Sequence, residues 1–153
     1  MSDLRVVYET FEADLSGDLR ARLRTLSDRV PRAGRMDPYR IAMNKLGLDE
    51  PTPAEAALRD RLVRGRYRSH GFLADALLIA LVETGVGVWA TNDASLRVEG
   101  TDVVGETLRV HVFSSVLPPV AAGRVTLFAL VVPGVSELEV REALWTAREL
   151  LGG

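Results

Sequence analysis

The chain has 153 residues, of which 47% are hydrophobic and 26% are charged, and its formal net charge is −2 at pH 7. This length and composition predict one globular domain over residues 1–153, and the slight acidity excludes a protein that binds polyanions over its whole surface. The sequence contains no cysteine, which excludes disulfides, thiolate nucleophiles and cysteine-ligated metal sites.

Neither an export signal nor a membrane span is expected from the sequence. The first residues lack the basic stretch followed by an apolar one that marks a secretory signal. The longest apolar run, residues 72–82, is shorter than the roughly 20 residues that a membrane span needs, and Asp75 interrupts it. Together with the absence of cysteine, these features predict a cytoplasmic protein without a membrane partner.

Apolar periodicity and capping residues predict an alternation of helices and strands. In chain order, we expect a strand at 4–11, helices at 19–30, 38–46, 53–64 and 72–82, strands at 86–91, 107–113 and 124–132, and a final helix at 137–151. Pro38 follows the cap Asp37, and Thr52 and Ser136 each begin a capping box. The order predicts a mixed α/β (α+β) domain, with helices packed on a central sheet or sandwich.

Asp75 is the one charged residue of the apolar segment 72–82. Burying an unpaired carboxylate costs on the order of several kcal/mol, so Asp75 must face a partner, a cap or a pocket. One interpretation is a structural partner, such as Arg40 or a neighbouring backbone amide. The other is that Asp75 helps to bind a substrate.

Arginine supplies 18 of the 19 basic residues, and most of the arginines lie within residues 1–70. Arginines on helices are usually the solvated face, but guanidinium groups also match phosphates. The best RNA-binding candidates follow the end of a predicted helix, where a loop can present cations and an aromatic ring together. They are Arg64, Arg66, Tyr67 and Arg68.

Three residues around the strand at 86–91 are further candidates. Trp89 is either a core residue or a surface on which a ligand stacks, and Asn92 and Asp93 suit both a turn and a polar site. The two histidines, His70 and His111, lack the spacing of metal ligands, and standard nucleotide loops are missing. We therefore expect no metal and no cofactor.

Several segments resemble, in their order and spacing, those of the B3/B4 domain. They are Pro38–Arg40, Lys45–Asp49, Ala57–Leu62 preceded by Pro51, Ala74–Ala76, Glu83–Val86 and Val88–Ala90, with further similarity at Val131–Glu137. The B3/B4 domain is the editing module in the β subunit of bacterial phenylalanyl-tRNA synthetase and also occurs as a freestanding protein. The resemblance implies a three-layer α/β domain whose pocket hydrolyses tyrosine wrongly attached to phenylalanine tRNA, flanked here by the segments of Asp75 and Trp89.

The chain departs from the family pattern at positions expected in the pocket. Leu78 and Leu81 stand where the family commonly has Asn and Ser, and Ser114 stands where a Glu is expected. The stretch from that serine to Arg124 is also much shorter than in the family. These departures make the expected pocket less polar.

Three functions are consistent with the sequence. The first is a hydrolase that acts in trans on misacylated tRNA, in which Asn92 or Asp93 holds the catalytic water and Arg40, Asp75 and Trp89 bind the substrate. The second is a non-catalytic module that binds RNA or a small ligand. The third is an interaction protein that forms a homodimer through its apolar helix. The expected partner is a tRNA or an aminoacyl-tRNA, and DNA is not expected.

Overall fold

A computed structural model describes residues 4–26, 33–63, 66–114 and 117–152 and shows a mixed α+β fold. The sequence prediction of the fold class is therefore confirmed. The elements are β1 (Arg5–Ala13), α1 (Arg20–Thr25), α2 (Ala33–Lys45), α3 (Pro53–Arg61), β2 (Leu62–Val63), β3 (Arg66–Tyr67), α4 (Phe72–Thr84), β4 (Trp89–Thr91), β5 (Arg97–Glu99), β6 (Asp102–Val104), β7 (Arg109–His111), β8 (Gly123–Val131) and α5 (Glu137–Leu150).

The main sheet is antiparallel and has the order β1-β8-β4. The central strand β8 is buried from Val125 to Val131, which confirms the prediction of a central strand from its continuous apolar run. Phe128 of β8 lies opposite Tyr8 on one side and Trp89 on the other. A second antiparallel sheet has the order β5-β6-β7, and β2 pairs with β3 in a hairpin.

Helix α4 is apolar around most of its circumference because the fold covers it on several sides. It contacts α5, α1 and α3, and its residues from Leu78 to Val82 are buried. Leu23 of α1 and Tyr67 of β3 pack in one cluster with Ile79. The apolar surface that the homodimer hypothesis assigned to a partner is thus largely buried within the chain. Across the described parts of the chain, no helix is long and apolar enough to cross a membrane.

Two predicted helix boundaries are wrong. Helix α2 begins at Ala33 and contains Pro38, which the sequence placed at the helix start. Helix α3 ends at Arg61 rather than Arg64, because Leu62 is extended and pairs with Tyr67 across the β2–β3 hairpin. The predicted helix at 19–30 is described only as far as α1, and its last residues lie outside the described ranges.

Candidate ligand-binding site

A groove with a volume of about 300 Å³ lies between α3, α4 and the segment that enters β4. Of the described residues that line it, Arg61 alone is charged, and the others are apolar or glycine. The walls include Ala54 and Ala57 of α3, Leu77 and Leu81 of α4, and Trp89 of β4. The groove is therefore an apolar site with one guanidinium group.

Local sequence signals position the α3 wall of the groove. The Thr52 hydroxyl accepts a hydrogen bond from the Glu55 amide at 3.2 Å, and the Glu55 carboxylate accepts one from the Thr52 amide at 3.2 Å. This reciprocal capping box fixes the start of α3, as the sequence predicted. The helix then presents small alanine side chains to the groove.

Glycine and tryptophan form the wall next to β4. A side chain at Gly87 would place its Cβ 3.2 Å from the Trp89 ring and 3.4 Å from the Ala54 Cβ, so the glycine keeps this space open. The Trp89 ring stacks on Phe128, with ring centroids 6.1 Å apart and planes at 25°. The Trp89 side chain is half-buried, because its indole packs on the core residue Phe128 and also lines the groove.

Asp75 lies in the first turn of α4 and is paired with Arg61. Its side chain is 1% exposed, and the Arg61 Nη2 atom donates to its Oδ1 atom at 2.5 Å. The Ser69 hydroxyl and the His70 amide also donate to this carboxylate, at 2.5 Å and 2.9 Å. Asp75 therefore has structural partners, and one of them is a neighbouring backbone amide, as the sequence suggested. The cation that pairs with Asp75 is Arg61 and not the suggested Arg40.

Arg61 also links α3 to α4 and to the segment that follows β3. Its Nε atom donates to the Arg68 carbonyl at 2.8 Å, and its Nη1 atom donates to the Ala74 carbonyl at 3.3 Å. Burial lowers the pKa of Arg61, and the adjacent Asp75 carboxylate opposes that shift. The side chain is held in one geometry by partners in α4 and in the segment after β3.

The sequence did not single out Arg61, although a signal for it was present. Ala54, Ala57, Leu58 and Arg61 occupy positions i, i+3, i+4 and i+7 of the helix, which places the arginine on the apolar face of α3. A cation on the apolar face of α3 has the charge that the isolated carboxylate of Asp75 needs in a partner, and this complementarity was the signal for Arg61.

Arg40 is exposed on α2 and is engaged elsewhere. It forms ion pairs with Asp37, at 3.2 Å, and with Glu55. The Glu55 hydrogen bond raises the pKa of Arg40. These contacts link α2 to the start of α3, and Arg40 does not line the groove.

Asp93 is buried and accepts three hydrogen bonds. The donors are the amides of Thr107 and Leu108 and the Thr107 hydroxyl, each at 2.8 Å. Burial raises the pKa of Asp93, but these hydrogen bonds outweigh burial and leave it below 3.8. The carboxylate therefore fastens the turn after β4 to the segment before β7.

Asn92 has a similar role in the same turn. Its amide nitrogen donates to the carbonyls of Ala121 and Arg124 at 2.9 Å and 2.8 Å, and its amide oxygen accepts from the Ala121 amide at 2.8 Å. Neither Asn92 nor Asp93 lines the groove. The prediction that they are catalytic stays a prediction, and the hydrogen bonds shown are those of a structural turn.

The four RNA-binding candidates occupy different environments. Arg68 is exposed, and its carbonyl contacts the groove residue Arg61. Tyr67 is 7% exposed and lies in the core cluster with α1 and α4, and burial raises its pKa. Arg66 pairs with Val63 in the hairpin, and Arg64 lies outside the described residues.

The described residues contain no group of three His, Asp or Glu side chains that could hold a metal ion. Comparisons of the chain with protein-family models, with curated proteins and with solved structures find no match. The structure thus shows an α+β fold with an apolar groove between α3, α4 and the segment that enters β4.

Proposed function

We propose that the protein is a B3/B4-like module that binds a small, largely apolar ligand in the groove beside Trp89 without hydrolysing it. The groove carries this proposal, because its volume of about 300 Å³ and its apolar walls suit a small ligand. The single buried guanidinium gives such a site one polar group with which to orient the ligand.

The chemistry of the lining supports binding rather than hydrolysis. Hydrolysis of an ester needs a nucleophile or a general base close to the reacting carbonyl. Among the described residues that line the groove, none carries a carboxylate, an imidazole or a hydroxyl group. The sequence suggested Asn92 and Asp93 for this role, but their side chains form hydrogen bonds with backbone groups of the segments that pack on their turn.

The resemblance to the B3/B4 domain suggests which ligand the groove takes. We propose the apolar side chain of an amino acid esterified to the end of a tRNA. The exposed Arg68 supports this choice, because its carbonyl accepts a hydrogen bond from the groove-lining Arg61. A cationic residue in the segment that adjoins Arg61 suits the phosphates that accompany an aminoacyl ester.

Fluorescence of Trp89 tests this function. The chain has two tryptophans, so a Trp145→Phe background leaves Trp89 as the single reporter. We expect aminoacylated tRNA to change the Trp89 emission at a lower concentration than uncharged tRNA, with an affinity that falls steeply as salt rises. Ester release, followed in the same samples, is expected to match the rate in buffer.

Two phenylalanine substitutions on α3 provide the matched comparison. Ala57 and Ala56 are both exposed, but only Ala57 lines the groove. Ala57→Phe is expected to fill the groove and weaken the binding of charged tRNA, whereas Ala56→Phe leaves it unchanged. Equal affinity for charged and uncharged tRNA, or equal effects of the two substitutions, would contradict the proposal. Ester release faster than in buffer would favour the hydrolase instead.

A further inference from the structure

The polar end of the groove is a single, almost fully buried side chain. Arg61 is 6% exposed, and a guanidinium group has five N–H donors. The described hydrogen bonds use three of the five, to the Arg68 carbonyl, the Ala74 carbonyl and the Asp75 carboxylate. Two N–H groups of this groove-lining residue thus have no hydrogen-bond partner among the described residues.

The charge of this guanidinium is already compensated. The Asp75 carboxylate lies 2.5 Å from Arg61 Nη2 and is almost completely shielded from solvent. A ligand carboxylate would have to lose its hydration inside apolar walls and would meet an ion pair with no net charge. An uncharged acceptor loses much less hydration and still gains the hydrogen bond.

We propose that Arg61 determines the specificity of the groove by donating to an uncharged hydrogen-bond acceptor, such as an ester or amide carbonyl. This inference rests on the proposed binding function and defines its ligand class. The acceptor is attached to an apolar group, which lies against Leu81 and Trp89. A carboxylate with the same apolar group is therefore expected to bind more weakly.

Two small probes of matched shape test this inference. 3-Phenylpropanamide and 3-phenylpropanoate share one apolar group and differ in their uncharged or charged polar end. In the Trp145→Phe background, we expect the amide to bind about tenfold more tightly than the carboxylate at pH 7. A carboxylate that binds as tightly as the amide, or more tightly, would overturn the inference.

Substitution of the ion pair shows whether Arg61 is the donor. Arg61→Met alone leaves the Asp75 carboxylate buried, so Arg61→Met is combined with Asp75→Asn to remove both charges and preserve folding. We expect this double variant to bind the amide about tenfold more weakly than the parent. Arg59→Met removes an exposed arginine of α3 outside the groove, and it is expected to leave amide binding unchanged.

The outcomes separate the two proposals. If the double variant folds cooperatively and binds the amide as tightly as the parent, Arg61 is not the donor and the inference is overturned, while the groove remains a binding site. If neither probe changes the Trp89 emission of the parent protein, the proposed binding function fails, and the inference fails with it.

Discussion

Removal of the Arg61 guanidinium is expected to destabilise the fold strongly. Arg61→Met keeps an unbranched apolar stem but leaves the Asp75 carboxylate, 1% exposed, with only the Ser69 hydroxyl and the His70 amide as partners. Breaking one side of a buried ion pair typically costs about 3–5 kcal/mol of unfolding free energy.

The double variant Arg61→Met/Asp75→Asn isolates the contribution of the charge. The asparagine oxygen can accept from the His70 amide in the place of Oδ1, and its NH₂ group, in the place of Oδ2, can donate to the Ser69 hydroxyl oxygen. The carbonyls of Arg68 and Ala74 lose their Arg61 donors. Each lost hydrogen bond contributes about 0.5–1.5 kcal/mol, so we expect the double variant to lose about 1–3 kcal/mol in total. Asp75→Asn should therefore restore stability to the Arg61→Met protein.

Urea unfolding at pH 7, followed by circular dichroism, measures these differences. Arg59→Met is the matched control, because it removes an exposed arginine from the same helix and is expected to change stability by less than about 0.5 kcal/mol. The reasoning is refuted if Arg61→Met and the double variant are equally unstable, or if Arg61→Met is no less stable than the control.

Three further predictions concern the elements around the groove. Gly105→Ala would place a Cβ 2.3 Å from an Asp93 carboxylate oxygen, and we expect a loss of about 1–3 kcal/mol on urea unfolding; a loss below about 0.5 kcal/mol would contradict the packing. Hydrogen bonds outweigh burial and hold the pKa of Asp93 in the folded protein below its ordinary value of 3.8. The ionised carboxylate therefore stabilises the fold at pH values above 3.8, and this stabilisation is lost as the pH falls through the lower pKa of the folded state. Across this acid range, the free energy of unfolding should depend less steeply on pH in Asp93→Asn than in the parent protein. Parallel pH profiles of the two proteins would argue against the hydrogen bonds to Asp93. Thr52→Ala removes the cap of α3 and is expected to cost about 1 kcal/mol on urea unfolding, while an unchanged midpoint would show that the capping box is dispensable.

Local signals in the sequence predicted the longer elements well. The capping box at Thr52 marks the start of α3. At the start of α5 the Ser136 hydroxyl accepts from the Glu139 amide, but the Glu139 side chain does not return the hydrogen bond, so the predicted capping box is only half formed. The continuous apolar run of β8 identified the central strand because a strand covered on both faces needs no polar alternation. Strands β4 and β7 also have only three residues, but they lie within the longer patterned stretches 86–91 and 107–113 that predicted them. Strands β2, β3, β5 and β6 were not predicted, because their two or three residues do not belong to a longer alternating stretch.

The candidate site was only partly predictable, because its polar group depends on pairing between distant elements. Asp75 and Trp89 stood out as an isolated carboxylate and a large aromatic ring. Arg61 did not, because arginine on a helix is usually solvated and its burial follows from the docking of α3 on α4. Asn92 and Asp93 suit a polar site and a turn equally well, and only the backbone contacts of the folded chain reveal their structural hydrogen bonds.

Nuclear magnetic resonance of the ¹⁵N-labelled protein, titrated with 3-phenylpropanamide, tests the binding groove most directly. The largest shift changes are expected at the Trp89 indole N–H and at the amides of Gly87 and Ala57, all of which line the groove. The resonance of the Trp145 indole N–H, which donates from α5 to the Glu9 carboxylate of β1, should not shift. Chemical-shift changes centred on Trp145 would contradict a ligand site beside Trp89. An unchanged Trp89 indole resonance at saturating concentrations of 3-phenylpropanamide would contradict it as well.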